Sequence, residues 1–269
     1  MKKILCPTDF SKAAENSIAY AAKLAKKVGA SLHLLHVNLL SELTPEEALV
    51  GTGMHEGLVT QKLEDECKEV GRVFRISCFP EEPARGMSLA REIGRVADGF
   101  DLIVMGTNGE NGLSQDLFGS NTYSVIRNTN VPLLMIPEQC GYSEVQHIIF
   151  AYDYWRNNNI PAGRIVAFAE ALGARLTIVQ VMETYSRDAE VELEAQQTLI
   201  QQMYSARANI SFEILYDNDI GEAINQFVMR SDADMLAMCF HPGKFQRMFY
   251  SGIVRRVTTE TVYPLFVIH

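Results

Sequence analysis

Residues 4–11 read ILCPTDFS, and residues 148–155 read IIFAYDYW, so that a shift of 144 positions lays Asp153 over Asp9. The same shift carries LAKKVGASLHLLHV (24–37) onto FAEALGARLTIVQV (168–181), matching Gly29 to Gly173 and Val37 to Val181. Two separate segments agreeing at one offset mark a duplication. At a different offset FDLIVM (100–105) lies over ADMLAM (233–238), and VPLLMI (131–136) over YPLFVI (263–268). The chain is therefore read as a tandem repeat, with a first domain over 1–137, a linker EQCGYSEVQ over 138–146 and a second domain over 147–269.

Each half alternates short apolar runs with amphipathic stretches, which is the pattern of βαβ units and a parallel sheet. In the first half KKILC, SLHLLHV, VFRISCF, DLIVM and PLLMI are expected strands. A helix follows Ser11 as N-cap and stops at Gly29, its last lysines suiting the negative end of the dipole. Further helices are expected within 42–70, over 84–98 and over 119–130, and in the second half over 188–206, with strands at ISFEILY, MLAMCF and PLFVIH. The fold class is α/β, two tandem open five-stranded parallel sheets of Rossmann-like type. In such sheets ligands lie beyond the carboxyl ends of the strands, where the winding direction reverses. Asp9 after the first strand and Gly106 after the fourth would both face that crevice.

Composition narrows the function classes. A chain of 269 residues with 47% hydrophobic and 21% charged residues can bury a proper core without metals or disulfides. Its five cysteines are odd in number and show no CxxC spacing, so they read as reduced, mostly buried thiols. The opening MKKILCPTDFS has an apolar run too short for a signal peptide or a membrane span, which points to a cytoplasmic protein with no membrane partner. A formal net charge of −9 disfavours nucleic acid as a partner. His33 and His36 share a strand and are read as packing or edge residues, because neither has a partner at metal-ligand spacing.

The chemistry-bearing stretch is GTNGENGLSQDLFGS, running from Gly106 to Ser120 directly after the apolar run DLIVM. Glycine at 106 and 109 permits close backbone approach, and Gly119-Ser120 at a helix start offers amides, a hydroxyl and the positive end of a dipole. That is an anion site in outline. The excursion contains Glu110 and Asp116 but no lysine or arginine, unlike a Walker loop, so a bound triphosphate would lean on Mg²⁺ or Mn²⁺.

Taken together, the opening ILCPTDFS, the strand FDLIVMG, GxxG followed after nine intervening residues by Gly-Ser, and the strand VPLLMI resemble the universal stress protein family over residues 2–137. The whole chain is similar to tandem members with two such domains. The resemblance implies a Rossmann-like fold of the adenine-nucleotide alpha hydrolase type. It also implies ATP or another adenine nucleotide, with Pro7, Thr8, Asp9 and Val37 around the adenine, and Met105, Gly106, Gly109, Gly119, Ser120, Asn121 and Thr122 around ribose and phosphates. Asn121 stands where the family usually has a small apolar residue.

In the second half the motif is lost. MCFHPGKFQRMFYSGIVRRV puts Cys239 and Pro242 where the glycines would be, and Ala151-Tyr152 replaces Pro7-Thr8. Proline removes an amide donor, and side chains intrude where phosphate oxygens would sit. Lys244, Arg247, Arg255 and Arg256 make this loop basic, either as a solvated face or as a surface for another anion. The expected function is binding of ATP in the first domain as a conformational or assembly signal. Without an arginine finger or lysine near the γ-phosphate, any hydrolysis would be slow and the protein is not expected to be an enzyme. The alternative is a nucleotide-independent scaffold whose final strands pair the two halves within the chain, or two chains in a homodimer.

Overall fold

A computed structural model of the chain describes residues 1–39, 52–86, 88–107, 120–152, 162–239 and 263–269. It divides into two compact units, Met1–Tyr142 and Ser143–His269, the division falling inside the 138–146 segment.

In the first unit β1 (Lys3–Thr8), β2 (Ser31–Leu39), β3 (Cys78–Pro80), β5 (Leu102–Gly106) and β6 (Leu133–Ile136) lie in the order β3-β2-β1-β5-β6, and β4 (Ala84–Gly86) pairs with β2. All these pairings are parallel. Helices α1 (Lys12–Val28), α2 (Thr52–Phe74), α3 (Leu89–Ala97) and α4 (Ser120–Asn128) make the crossovers. The chain runs from β1 outward to β2 and β3, then returns to β5 and β6 on the other side of β1. The winding reverses between β1 and β5.

The second unit repeats this plan. Strands β7 (His147–Ala151), β8 (Arg175–Met182), β9 (Ile210–Tyr216), β10 (Met235–Cys239) and β11 (Leu265–Ile268) lie in the order β11-β10-β7-β8-β9, with α5 (Ala162–Leu172), α6 (Arg187–Tyr204) and α7 (Ile220–Arg230). The runs MLAMCF and PLFVIH thus form β10 and β11, and ISFEILY is β9. Both units are the expected α/β parallel sheets.

The duplication extends to individual hydrogen bonds. Gly29 and Gly173 both adopt left-handed backbone at φ 67° and 71°. Each is followed by an amide that closes the helix, from Ala30 to the Ala25 carbonyl and from Ala174 to the Ala169 carbonyl, both at 2.9 Å. Glycine is the residue that reaches this conformation without a Cβ penalty. Asp101 accepts from the amides of Lys2 and Lys3, and Asp234 accepts in the same way from Gln146 and His147. The cores are aliphatic strands with few aromatics: Ile4, Leu5, Leu32 and Leu102 are fully buried in the first unit, and Phe266 stacks on Phe168 at 4.1 Å in the second.

Two expected elements differ. The run VFRISCF does not form one strand, because α2 continues through Val73 and Phe74. Arg75 then takes a left-handed φ of 57°, and the Ile76 amide bonds back to the Gly71 carbonyl, which ends the helix the way a glycine usually does. The strand proper is only Cys78–Pro80. The helix expected from residue 84 begins at Leu89, since Ala84–Gly86 pair with Val37–Leu39 of β2. Among the described residues no helix is long and apolar enough to cross a membrane.

Candidate functional site

The site begins where β1 stops. Pro7 and Thr8 are buried, and the chain then turns sharply through Phe10, whose φ is 61°. Left-handed backbone at a non-glycine residue is costly and persists only where its surroundings hold it. Here the Thr8 hydroxyl accepts from the Phe10 amide at 3.0 Å and the Asp9 carboxylate from the Ser11 amide at 3.0 Å, while Ser11 caps α1 by accepting from the Ala14 amide. Ser11 therefore does the capping. Asp9 stays exposed at the end of the strand.

Between β1 and β5 the ladder is short. Ile4 pairs with Leu102 and Leu5 with Ile103, and no further pair follows. Pro7 has no amide to donate, so the hydrogen-bonded ladder stops short of the carboxyl ends of β1 and β5, which flank the point where the winding reverses. Gly106 and Thr107 stand on its β5 side. Thr107 is 4% exposed, and its hydroxyl has no hydrogen-bond partner among the described residues. A buried hydroxyl without a partner is unfavourable, and a ligand or water that pairs it removes the cost. On the far side of β1 the ladder with β2 ends at Thr8↔His36, so Val37 is the first β2 residue beyond it.

Of the expected site residues, Pro7, Thr8, Asp9, Val37, Met105 and Gly106 gather at the carboxyl ends of β1, β2 and β5. Val37 and Met105 are both buried. Ser120 and Asn121 open α4, and Thr122 is buried in its first turn. Gly109 and Gly119 lie outside the described residues, as do Glu110, Asp116, the segment 42–51 and the basic loop with Pro242, Lys244, Arg247, Arg255 and Arg256.

Sequence reading missed a cluster on the β2 side. His36 donates from Nδ1 to the Thr8 carbonyl at 2.9 Å and stacks on Phe10, with ring centroids 4.7 Å apart and 22° between planes. Lys62 of α2 reaches over the other ring surface, Nζ 4.0 Å from the Phe10 centroid. A cation so placed is attracted by the ring quadrupole. The side chains come from three elements far apart in sequence, and no local motif announces them. Lys62 is thus a cation of α2 over Phe10, the residue after Asp9. His33, by contrast, is tied to Glu81 at 2.7 Å and Ser31 at 2.9 Å and acts as a packing residue, as expected.

Burial pushes His36 below its ordinary pKa, against its bonds to Thr8 and Asn38 and the charge of Asp9, and the charge of Lys62 lowers it further. Its neutral form is favoured in the folded state. As pH falls through about 6.5 the unfolded chain takes up a proton that the folded site refuses, so stability declines on acidification until the folded pKa is passed. His36→Gln, which installs the residue found at the matching position 180, should lose less stability than the parent between pH 7.5 and 5.5 in urea unfolding. Equal losses would show that His36 is not strained toward neutrality.

The second unit is built differently at the equivalent place. Its β7–β10 ladder runs over four pairs, Met235↔Ile148 to Met238↔Ala151, so these strands stay joined to the end. Tyr152, 5% exposed, stands where Thr8 stands in the first unit. A cavity of about 20 Å³ beside it, lined also by Gln180, Gln196 and Phe212, is the size of a water molecule and far too small for a purine. Burial pushes the Cys239 thiol up to about 12, so it stays protonated.

The model of the universal stress protein family matches residues 1–137. A universal stress protein of Methanocaldococcus jannaschii is 31% identical over 143 residues, which cover 50% of this chain and 81% of that protein. One from Synechocystis is 27% identical over 175 residues, covering 57% of this chain, and the chain spans only 60% of that relative's length. The crystal structure of a universal stress protein from Archaeoglobus fulgidus superposes with a TM-score of 0.72 at 20% identity, over 99% of this chain and 95% of that one. That likeness concerns the fold.

Proposed function

The chain belongs to the universal stress protein family, and from that premise we propose that its first unit binds an adenine nucleotide, ATP, in the crevice between β1 and β5. The observation that carries the proposal is the buried Thr107 hydroxyl, without a hydrogen-bond partner among the described residues, at the carboxyl end of β5, where Asp9 and Val37 also gather at the ends of β1 and β2. This is the strand end at which the fold class takes its ligands. Asp9 offers a charged acceptor for ribose hydroxyls, Thr107 an unpaired hydroxyl, and the backbone of Val37 and Gly106 close approach from both sides. The start of α4 at Ser120 supplies unpaired amides for phosphate. Gly109, Gly119, Asn121 and Thr122 complete the proposed contacts.

A divalent cation fits this arrangement as a companion of the phosphates. Among the described residues no group of three His, Cys, Asp or Glu side chains could hold a metal ion, so the protein would take Mg²⁺ or Mn²⁺ together with ATP. Bound cation would neutralise phosphate charge that the site would meet with backbone amides. Binding rather than turnover is the work of such a site. ATP that favours the folded or assembled form shifts the population toward it, and the protein acts as a cytoplasmic signal whose output is conformation or association.

The proposal is tested by thermal unfolding with ATP in excess Mg²⁺ and in excess EDTA. Nucleotide at about a hundred times its Kd stabilises by about 2.7 kcal/mol. The expected result is a rise in the transition of the first unit with Mg²⁺ and a much smaller one with EDTA. No rise in either condition would remove the nucleotide from the account and favour the scaffold reading.

A further inference from the structure

Of the five cysteines, Cys6 is buried with its thiol near Ser17, Cys140 is buried near the end of the first unit, and Cys239 lies in the second unit. Cys67 and Cys78 differ from these because their thiols meet. Cys67 sits on the buried face of α2 with Leu63 and Val70, bonded to the Leu34 backbone and to the Cys78 side chain. Cys78 opens β3, paired with Leu32 at the edge of the sheet and half-buried. Helix and strand approach closely here, since a Cβ on Gly71, one turn beyond Cys67, would stand 3.8 Å from the Cys78 Cβ.

We propose that Cys67 and Cys78 form a reversible oxidation site, a dithiol that hydroperoxides convert to an intramolecular disulfide joining α2 to β3. Accessibility sets the order of events. Cys67 is buried and Cys78 only half-buried, so Cys78 is the sulfur that meets the oxidant, while the contact with Cys78 and burial keep the Cys67 thiol protonated. The Cys78 sulfur attacks the peroxide O–O bond and becomes a sulfenic acid, while its proton goes to the departing oxygen, which leaves as the alcohol, or as water from hydrogen peroxide. The Cys67 sulfur then attacks Cys78, the S–S bond forms, and the displaced hydroxide leaves as water with the Cys67 proton. Two thiols lose two hydrogens and one hydroperoxide is reduced to alcohol and water. The bond would close a short ring between residues 67 and 78 and tether the helix that carries Lys62. Such a tether gives the first unit a chemical input separate from its crevice, and it does not depend on nucleotide binding.

The experiment treats the reduced, folded full chain with hydrogen peroxide, blocks remaining thiols, and maps tryptic peptides. The expected product is LEDECK (63–68) linked to ISCFPEEPAR (76–85), about 2 Da lighter than the two thiol peptides together and restored by dithiothreitol. Cys67→Ser should instead leave Cys78 as a sulfenic acid that dimedone traps, and Cys78→Ser should slow the first thiol loss about tenfold or more. The proposal is overturned if the folded protein oxidises without forming this link, or if Cys78→Ser leaves the rate of thiol loss unchanged.

Discussion

Replacing Gly94 with alanine should destabilise the first unit by about 2 kcal/mol, and with valine by about 3 kcal/mol. In an exposed helix the same change would stabilise by up to about 1 kcal/mol, because glycine is the poorer helix former. At Gly94 the sign reverses. A Cβ there would stand 2.5 Å from the Asn128 carbonyl oxygen, a backbone atom that cannot swing aside as a side chain could. Helix α3 carries Gly94 and α4 ends at Asn128, so the contact fixes how closely these helices cross. Relief requires moving α4, whose other end at Ser120 is the proposed phosphate-binding terminus. Gly57 on α2 is the control: it is exposed, a Cβ there meets nothing within 4 Å, and alanine should be neutral or stabilising. Chemical denaturation of the two variants separates the cases. Equal effects would mean that α3 and α4 do not pack as closely as the structure places them.

The second large effect is expected at Asp9. Asp9→Ala should weaken ATP binding about thirtyfold, close to 2 kcal/mol, the loss expected when a charged acceptor is removed from hydroxyl donors. The fold should survive. Ser11 holds the N-cap of α1 by itself, and the Thr8 hydroxyl still accepts from the Phe10 amide, so the turn keeps two of its three local bonds. Asp9→Asn retains an acceptor oxygen for both Ser11 and a ribose, and should fall between the parent and the alanine variant. Calorimetric titration reads the three affinities. An alanine variant that binds as the parent does would place the nucleotide away from β1.

Much of this architecture could be read from local chemistry. The repeat at 144 positions is visible because helix-ending glycines, strand aliphatics and the aspartate after the first strand recur together, and the paired closures at Gly29 and Gly173 show why those positions persist. Ser11 was legible as a cap because serine before an amphipathic run has few other uses. The end of α2 was not legible, since Arg75 takes the left-handed position that a glycine would have advertised, and Val73-Phe74 look as much like strand as helix. Strand β4 escaped because three residues paired only to the tip of β2 carry no periodicity.

At the site, the distinction lies between features along the chain and features across it. Asp9 and Gly106 were identified by what precedes them, and the structure brings both to the point where the winding reverses. The stacking of Phe10 between His36 and Lys62 depends on β1, β2 and α2 meeting, and nothing in any one segment encodes it. Lost glycines in the second half suggested that it had abandoned the ligand. That its strands also remain paired to their ends, with a buried tyrosine filling the place of Thr8, is a property of the assembled sheet.

Titration of nucleotide-stripped protein with ATP and Mg²⁺ by isothermal calorimetry tests the central claim most directly, because stoichiometry counts the units that bind. The account predicts one ATP per chain, with the heat greatly reduced by Asp9→Ala. Two ATP per chain, or none, would contradict it.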